Sequence, residues 1–268
     1  IVEESLSDNA TKRVLHDVFR QKPWKFISMA LHTKDEKDKH HPVKSFPDKA
    51  YLRELVYAIH NSEILLVRKS RQMMASWVIC AYAVWYAIYY PFRLILIQSK
   101  REDDAANMVN ANDPLMGRCS FLYTQLPALF RQREMKLTRA AFGILEFANG
   151  SKIWGIPEGA DVIRGNVPSM VIGDEFAFQP QAELAFQAAL PLLKGGGKFI
   201  GVSSVAPGFF WELTDNKGRE TKDIIPGMKR WTTPDGVNVI RLHYSADPEK
   251  DEKWKINELI GYPGGETG

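Results

Sequence analysis

Short uninterrupted apolar runs, each preceded or followed by a polar turn, recur through the middle of the chain. Glu63-Ile64-Leu65-Leu66-Val67, Arg93-Leu94-Ile95-Leu96-Ile97-Gln98, Ser169-Met170-Val171-Ile172-Gly173 and Lys198-Phe199-Ile200-Gly201-Val202 are too short for helices and carry no alternation, which predicts buried strands. Segments with helical spacing lie between them: Lys49 to His60, the uncharged stretch from Ala75 onwards, Ser99 to about Asn110, and Gln179 to Leu193. Ser99-Lys100-Arg101-Glu102 has the spacing of a capping box at the start of the third. Strands alternating with helices predict an α/β domain with a mostly parallel sheet. Two hairpins are expected as well, one about Asn149-Gly150 and one about Pro234-Asp235-Gly236. Residues 1–30 read as one or two helices interrupted at Pro23, His32 to His41 as a charged solvated linker, Asp113 to Leu137 as helical or irregular, Asp247 to Ile260 as a charged helix, and Tyr262 to Gly268 as a linker or loop.

Composition changes this picture little. Hydrophobic residues at 45% and charged residues at 25% of 268 describe a globular chain with a sizeable core, and exclude disordered and fibrous classes. A formal charge of +3 permits contact with nucleic acid without requiring it. Cys80 and Cys119 form no metal-ligand or disulfide pattern, and a reducing compartment fits them. His40 and His41 have no cysteine or carboxylate cluster spaced to complete a metal site. Gln72 to Phe92 is free of charge over a length that can cross a bilayer, but its tyrosines and Pro91 favour a buried helix.

The chemistry concentrates at three strand ends. Between the first buried strand and the following helix stands Lys69-Ser70-Arg71-Gln72-Met73-Met74-Ala75-Ser76, a basic turn in the strand–turn–helix context of a phosphate-binding loop. In the G-x-x-x-x-G-K-[ST] frame, Lys69 and Met74 stand at the two glycines and Ala75 at the lysine, so only Ser76 matches. Phosphate nonetheless needs only backbone N–H groups at a helix start, a cation and a hydroxyl for magnesium, and Lys69 or Arg71 together with Ser76 can supply them. A basic surface turn is the competing reading. About 100 residues on, the apolar run ending in Asp174-Glu175 has the form of a Walker B strand, with Asp174 for magnesium and Glu175 to activate water; a plain surface strand end is the alternative. The run ending in Ser203-Ser204 offers hydroxyls that can sense a phosphate or simply cap a turn before Pro207-Gly208. Phe46 and Tyr51, upstream of the loop, are candidates to stack on adenine or to fill the core. Lys100 and Arg101 can touch DNA or be solvated.

This order of motifs resembles the ATPase domain of the large terminase subunit of tailed bacteriophages, the motor of viral DNA packaging. The resemblance covers about Phe46 to Lys250 and is carried by Lys69-Ser70-Arg71-Gln72-Met73 through Trp77, Ile97-Gln98-Ser99-Lys100, Val171 to Glu175, and Ser203-Ser204. It implies a P-loop NTPase of the additional-strand catalytic-Glu type, with ATP and Mg2+ as cofactors and a small lid subdomain. It also implies that residues 69–76 bind ATP, that Ser76 and Asp174 hold the metal, that Glu175 is the base, and that Ser203 and Ser204 couple hydrolysis to motion. Arg164, in the exposed glycine-bounded loop expected from Gly159 to Gly165, resembles the arginine finger lent to a ring neighbour, which speeds hydrolysis by on the order of 10³ or more. The expected organisation is an N-terminal helical segment and linker (1–45), an ATPase core (46–204), a lid (205–245) and the start of a linker (246–268). The family's nuclease half is not expected, since only residues 251–268 remain after Lys250. The resemblance implies double-stranded DNA, a portal protein, a small terminase subunit and further copies of the chain in a ring as partners. It implies no membrane partner, and action in the host cytoplasm at the procapsid. With Ala75 at the frame's lysine, the other expectation is a degenerate P-loop module that binds nucleotide or a partner without turnover.

Overall fold

The computed structural model describes residues 9–35, 38–109 and 117–259. The chain opens with α1 (Asn9–Gln21) and α2 (Pro23–Ala30), followed by a two-stranded antiparallel ribbon of β1 (His32–Lys34) and β2 (Val43–Ser45). The charged stretch expected as a linker therefore opens as a strand, at His32–Lys34. Next come α3 (Ala50–Asn61), β3 (Ile64–Lys69), α4 (Ala75–Tyr89), β4 (Leu94–Gln98), α5 (Glu102–Val109) and α6 (Arg118–Thr124). A meander of β5 (Leu137–Ala141), β6 (Ile144–Phe147) and β7 (Lys152–Ile156) leads to α7 (Asp161–Arg164), β8 (Met170–Asp174), α8 (Ala182–Lys194) and β9 (Lys198–Ser203). The remainder is α9 (Phe209–Thr214), β10 (Lys222–Ile225), β11 (Met228–Thr232), β12 (Asn238–Leu242) and α10 (Glu252–Leu259).

Ten of these strands form one sheet in the order β10-β11-β12-β3-β9-β8-β4-β7-β6-β5. Its centre, β12 through β7, is parallel throughout, and the antiparallel ribbons β10–β11 and β5–β6 extend it at either end. The apolar runs are explained by burial on both faces. Leu65 and Val67 point into a core beneath α2, α3, α4 and α6, whereas Leu66 points into a second core under α8 and α9. The hairpin about Asn149-Gly150 forms as its turn chemistry requires, with Gly150 at φ +81°.

The uncharged helix α4 is buried nearly all round, which removes the need for an amphipathic pattern. Trp85 lies at its centre, donates from Nε1 to the Phe19 carbonyl at 2.8 Å, and packs against His60, Tyr82, Tyr86, Tyr89 and Tyr90. No helix among the described residues is long and apolar enough to cross a membrane. Phe19, Trp24, Phe26 and Ile27 belong to the same core as α4, so the N-terminal helices pack on the main body. The expected lid is likewise joined to that body: β12 pairs with β3, and β11 and β10 continue the sheet outward. Helix α5 begins at Glu102, two residues beyond the start that a capping box at Ser99 implies, with Ala105 N donating to Arg101 O at 3.1 Å in its first turn. The expected reach of that helix to Asn110, the first part of the 113–137 stretch, the end of the helix expected to Ile260 and the closing linker lie outside the described residues.

Candidate functional site

The site lies at the carboxyl ends of β3, β8 and β9, where open parallel sheets present their ligands. β9 is interposed between β3 and β8, so the basic turn and the Asp174-Glu175 pair end two strands separated by one. Residues 70–74 turn from β3 into α4 without glycine, yet Gln72 (φ +58°) and Met74 (φ +52°) are both left-handed. Met74 stands where the usual frame has its second glycine. The backbone thus takes the bend that glycine makes easy, at a cost of about 1–2 kcal/mol for each L-residue so placed. Surrounding contacts hold it there. Lys250 Nζ donates to the carbonyls of Gln72 (2.7 Å) and Arg71 (3.3 Å), Ser70 N donates to Leu242 O (2.9 Å), and Ser70 Oγ accepts from Tyr244 N (3.1 Å).

Five side chains expected to act together meet here. Lys69, buried at the end of β3, donates to Glu175 Oε1 at 2.7 Å. Ser76, in the first turn of α4, donates to Asp174 Oδ1 at 3.0 Å. Glu175 Oε2 accepts from Ser203 Oγ at 3.4 Å and from Ser204 N at 3.3 Å. Glu175 itself is left-handed (φ +46°), a strained position of the kind that collects at functional sites. Gly173 makes the sharp exit from β8 possible, since a Cβ there would stand 2.5 Å from the Phe176 ring folded beneath it. Burial and the adjacent Glu175 push the Asp174 carboxyl above its ordinary range, against the opposing pull of Ser76 and Lys69. The hydroxyl and carboxylate are hard oxygen donors of the type magnesium takes when phosphate and water complete its shell. Among the described residues no group of three or more His, Cys, Asp or Glu side chains forms a self-sufficient metal site.

No protein-family model and no curated protein matches the sequence. Solved structures do match. The large terminase ATPase domain of Thermus phage P74-26 aligns at a TM-score of 0.51 and 21% identity over 78% of this chain and 88% of that one. The large terminase of another thermophilic bacteriophage, solved in complex with ADP, aligns at a TM-score of 0.52 and 14% identity over 81% of this chain. This is the fold of a phage large-terminase ATPase domain. The chain spans about half the length of the ADP-bound terminase, covering 51% of it.

Within the terminase ATPase fold the remaining candidates are distributed unevenly. Arg71 is exposed on the turn, while Met73 and Ala75 are buried beneath it. Phe46 and Tyr51 are core residues and have no free face for adenine. Phe46 packs edge-on against Trp24, and the fully buried Tyr51 donates its hydroxyl to Asp247 Oδ2 at 3.3 Å. Burial and Asp247 raise the Tyr51 pKa. Arg164 sits at the end of α7, a short helix within the stretch expected as a loop, half-exposed and beside Arg93, Ser169 and Gly197. Those neighbours immediately precede β4, β8 and β9, so Arg164 is at the amino ends of the parallel strands, opposite the carboxyl ends that carry Lys69 and Glu175. Lys100 and Arg101 are exposed.

Sequence reasoning missed three residues that shape the site. Lys250 lies 178 positions from the Gln72 carbonyl it holds, and nothing in its own surroundings signals that contact. Gln179 Nε2 donates to the Asp174 carbonyl at 2.9 Å, fixing the end of β8. Gln98, fully buried at the end of β4, donates to Pro157 O (2.9 Å) and Gly159 O (2.7 Å) and anchors the approach to α7. In sequence Gln98 shows as the amide that closes an otherwise apolar strand, within the Ile97-Gln98-Ser99-Lys100 stretch that carries the resemblance, but with no contact indicated.

Proposed function

We propose that this chain is the ATP-hydrolysing motor domain of a DNA-packaging terminase, which translocates double-stranded viral DNA into a procapsid. The observation that carries the reading is the meeting of Lys69 with Glu175 and of Ser76 with Asp174 across β9. That meeting unites a cation, a metal-binding pair and a base at one helix start. The ADP complex of the similar phage terminase supports a nucleotide as the ligand.

In this reading residues 69–76 cradle the ATP phosphates through backbone N–H groups at the start of α4. Ser76 and Asp174 hold Mg2+, whose charge when bound offsets that of the phosphates. Lys69 moves its ammonium from Glu175 to phosphate. Glu175, released, orients the attacking water and takes its proton, with Ser203 and Ser204 keeping the carboxylate aimed and carrying its displacement into β9. Arg164 faces away from its own site, so it acts as a finger only on a neighbouring copy in a ring. The portal protein and small terminase subunit are the further partners, and the host cytoplasm is the place of action.

Phosphate release from ATP, measured with and without duplex DNA, tests this reading. Wild-type turnover is expected to rise with DNA and to vanish in Glu175→Gln while nucleotide binding remains. Turnover that survives in Glu175→Gln overturns the assignment. Binding without turnover in the wild type identifies instead a module that only holds nucleotide.

A further inference from the structure

Beside the nucleotide loop, a second feature is built from residues that the ATPase chemistry does not use. Lys229 on β11 pairs in register with Arg241 on β12, and Arg241 with Arg68 on β3. Residues directly opposite one another share a sheet face, so three cations stand in a row about 5 Å apart from strand to strand. Like charges in such positions repel, and little acid answers them. Asp223 lies 3.5 Å from Lys229 in an exposed pair, Asp215 is near Arg68, and Arg241 has no ion pair among the described residues.

Arg68 is held despite this. Its guanidinium lies 4.1 Å from the ring centre of the half-exposed Trp211 and 6.0 Å from that of Trp231, and its Nε is buried without a hydrogen-bond partner. Burial and Arg241 both lower its pKa. Together Arg68, Trp211, Lys229, Arg241 and His243 line a cavity of about 560 Å³ whose rim includes Lys69 and Ser70. At the inner end of the row Arg68 pairs in register with Ser203, which touches Glu175.

We propose that Lys229, Arg241 and Arg68 form a phosphate-binding row that grips the backbone of nucleic acid beside the nucleotide site. The inference rests on the motor reading and deepens it by naming the DNA contact. A row about 10 Å long matches the axial rise of two to three nucleotides at about 3.4 Å each. The aromatic wall favours nucleic acid over a free anion, because the half-exposed Trp211 stands beside the cations. Since Lys69 lines this cavity and Ser203 pairs in register with Arg68, a displaced phosphate contact there is passed to the groups that hold Glu175.

The test is the salt dependence of binding to a short random-sequence DNA duplex by the intact chain. Lys229→Gln with Arg241→Gln removes two exposed cations. Lys222→Gln with Arg230→Gln, an in-register exposed pair on β10 and β11 at the opposite face, removes the same charge as a control. For two phosphates lost, the slope of log K against log salt flattens by about 1.8, equivalent to an about twelvefold smaller loss of affinity between 50 and 200 mM salt. The control keeps the wild-type slope, and ATP-analogue affinity is unchanged in both. Equal flattening in both variants reduces the row to net charge and overturns the proposal. An unchanged slope with weakened ATP binding assigns the cations to the nucleotide, and an unchanged slope with altered self-association assigns them to a neighbouring subunit. Either result defeats the row while leaving the motor reading intact. Wild-type protein that binds no DNA at low salt defeats both the row and the DNA-motor reading.

Discussion

Lys69 and Glu175 are unequally buried, and that asymmetry makes the nucleotide-free site a measurable test of the partner exchange proposed for turnover. The Lys69 side chain is 8% exposed and that of Glu175 39%. Glu175→Gln leaves the lysine buried with only an amide oxygen to accept its hydrogen bond. A fully buried pair broken in this way costs about 3–5 kcal/mol, but the retained hydrogen bond and the open side of the site reduce the expected loss to about 1–2 kcal/mol. Lys69→Met leaves a carboxylate that can turn to water, and the methionine fills the lysine's apolar path, so the expected loss is below about 1 kcal/mol. Urea unfolding without nucleotide should therefore rank Glu175→Gln as the less stable variant. Adding a non-hydrolysable ATP analogue and magnesium at 100 times Kd should stabilise Glu175→Gln by about 2.7 kcal/mol, because phosphate replaces the lost counter-charge. The same concentrations should stabilise Lys69→Met much less, since its cation is missing. A reversed ranking without nucleotide, or equal stabilisation of the two variants by the analogue, refutes the exchange of Lys69 from carboxylate to phosphate.

Other predictions concern the remaining parts of the site. The folded chain binds the Asp174 proton more tightly than the unfolded chain does, so Asp174 subtracts stability as pH rises from its ordinary value of 3.8 through its raised value. Asp174→Asn should accordingly melt higher than wild type at neutral pH, with the gap closing toward pH 4, while losing magnesium-dependent nucleotide binding; a lower melting point at neutral pH would contradict the burial argument. Gln72→Gly relieves a left-handed L-residue on an exposed turn and should add about 0.5–1 kcal/mol in urea unfolding, the relief exceeding glycine's added chain entropy. If Arg164 acts between copies, mixing Arg164→Ala with Glu175→Gln subunits should recover part of the phosphate release that each lacks alone. No recovery at any ratio would leave Arg164 a structural residue.

The chain's own pattern determined the elements that local chemistry encodes. Buried parallel strands announce themselves as apolar runs, and β3, β4, β8 and β9 lie where those runs lie. The hairpin at Asn149-Gly150 follows from a turn that needs positive φ. Edge strands are different: β5 and β10 have no fully buried residue and exist through pairing with β6 and β11. Motif order along the chain was enough to suggest the terminase ATPase fold, because strand ends carry their chemistry with them.

Tertiary structure alone decided what those residues touch. Lys69 meets Glu175 across 106 positions, Lys250 closes the loop from 178 positions away, and the row Lys229–Arg241–Arg68 exists only through the registers of three strands. It also withdrew Phe46 and Tyr51 into the core, since an aromatic side chain reads the same in sequence whether it awaits a base or fills a cavity. The bend of the basic turn between β3 and α4 was hidden for a related reason. Gln72 and Met74 carry no glycine signal, and their left-handed backbone is held by contacts contributed from β12 and from Tyr244 and Lys250 beyond it. Propensity is a property of a residue and its neighbours in sequence; strain held in place is a property of the packed fold.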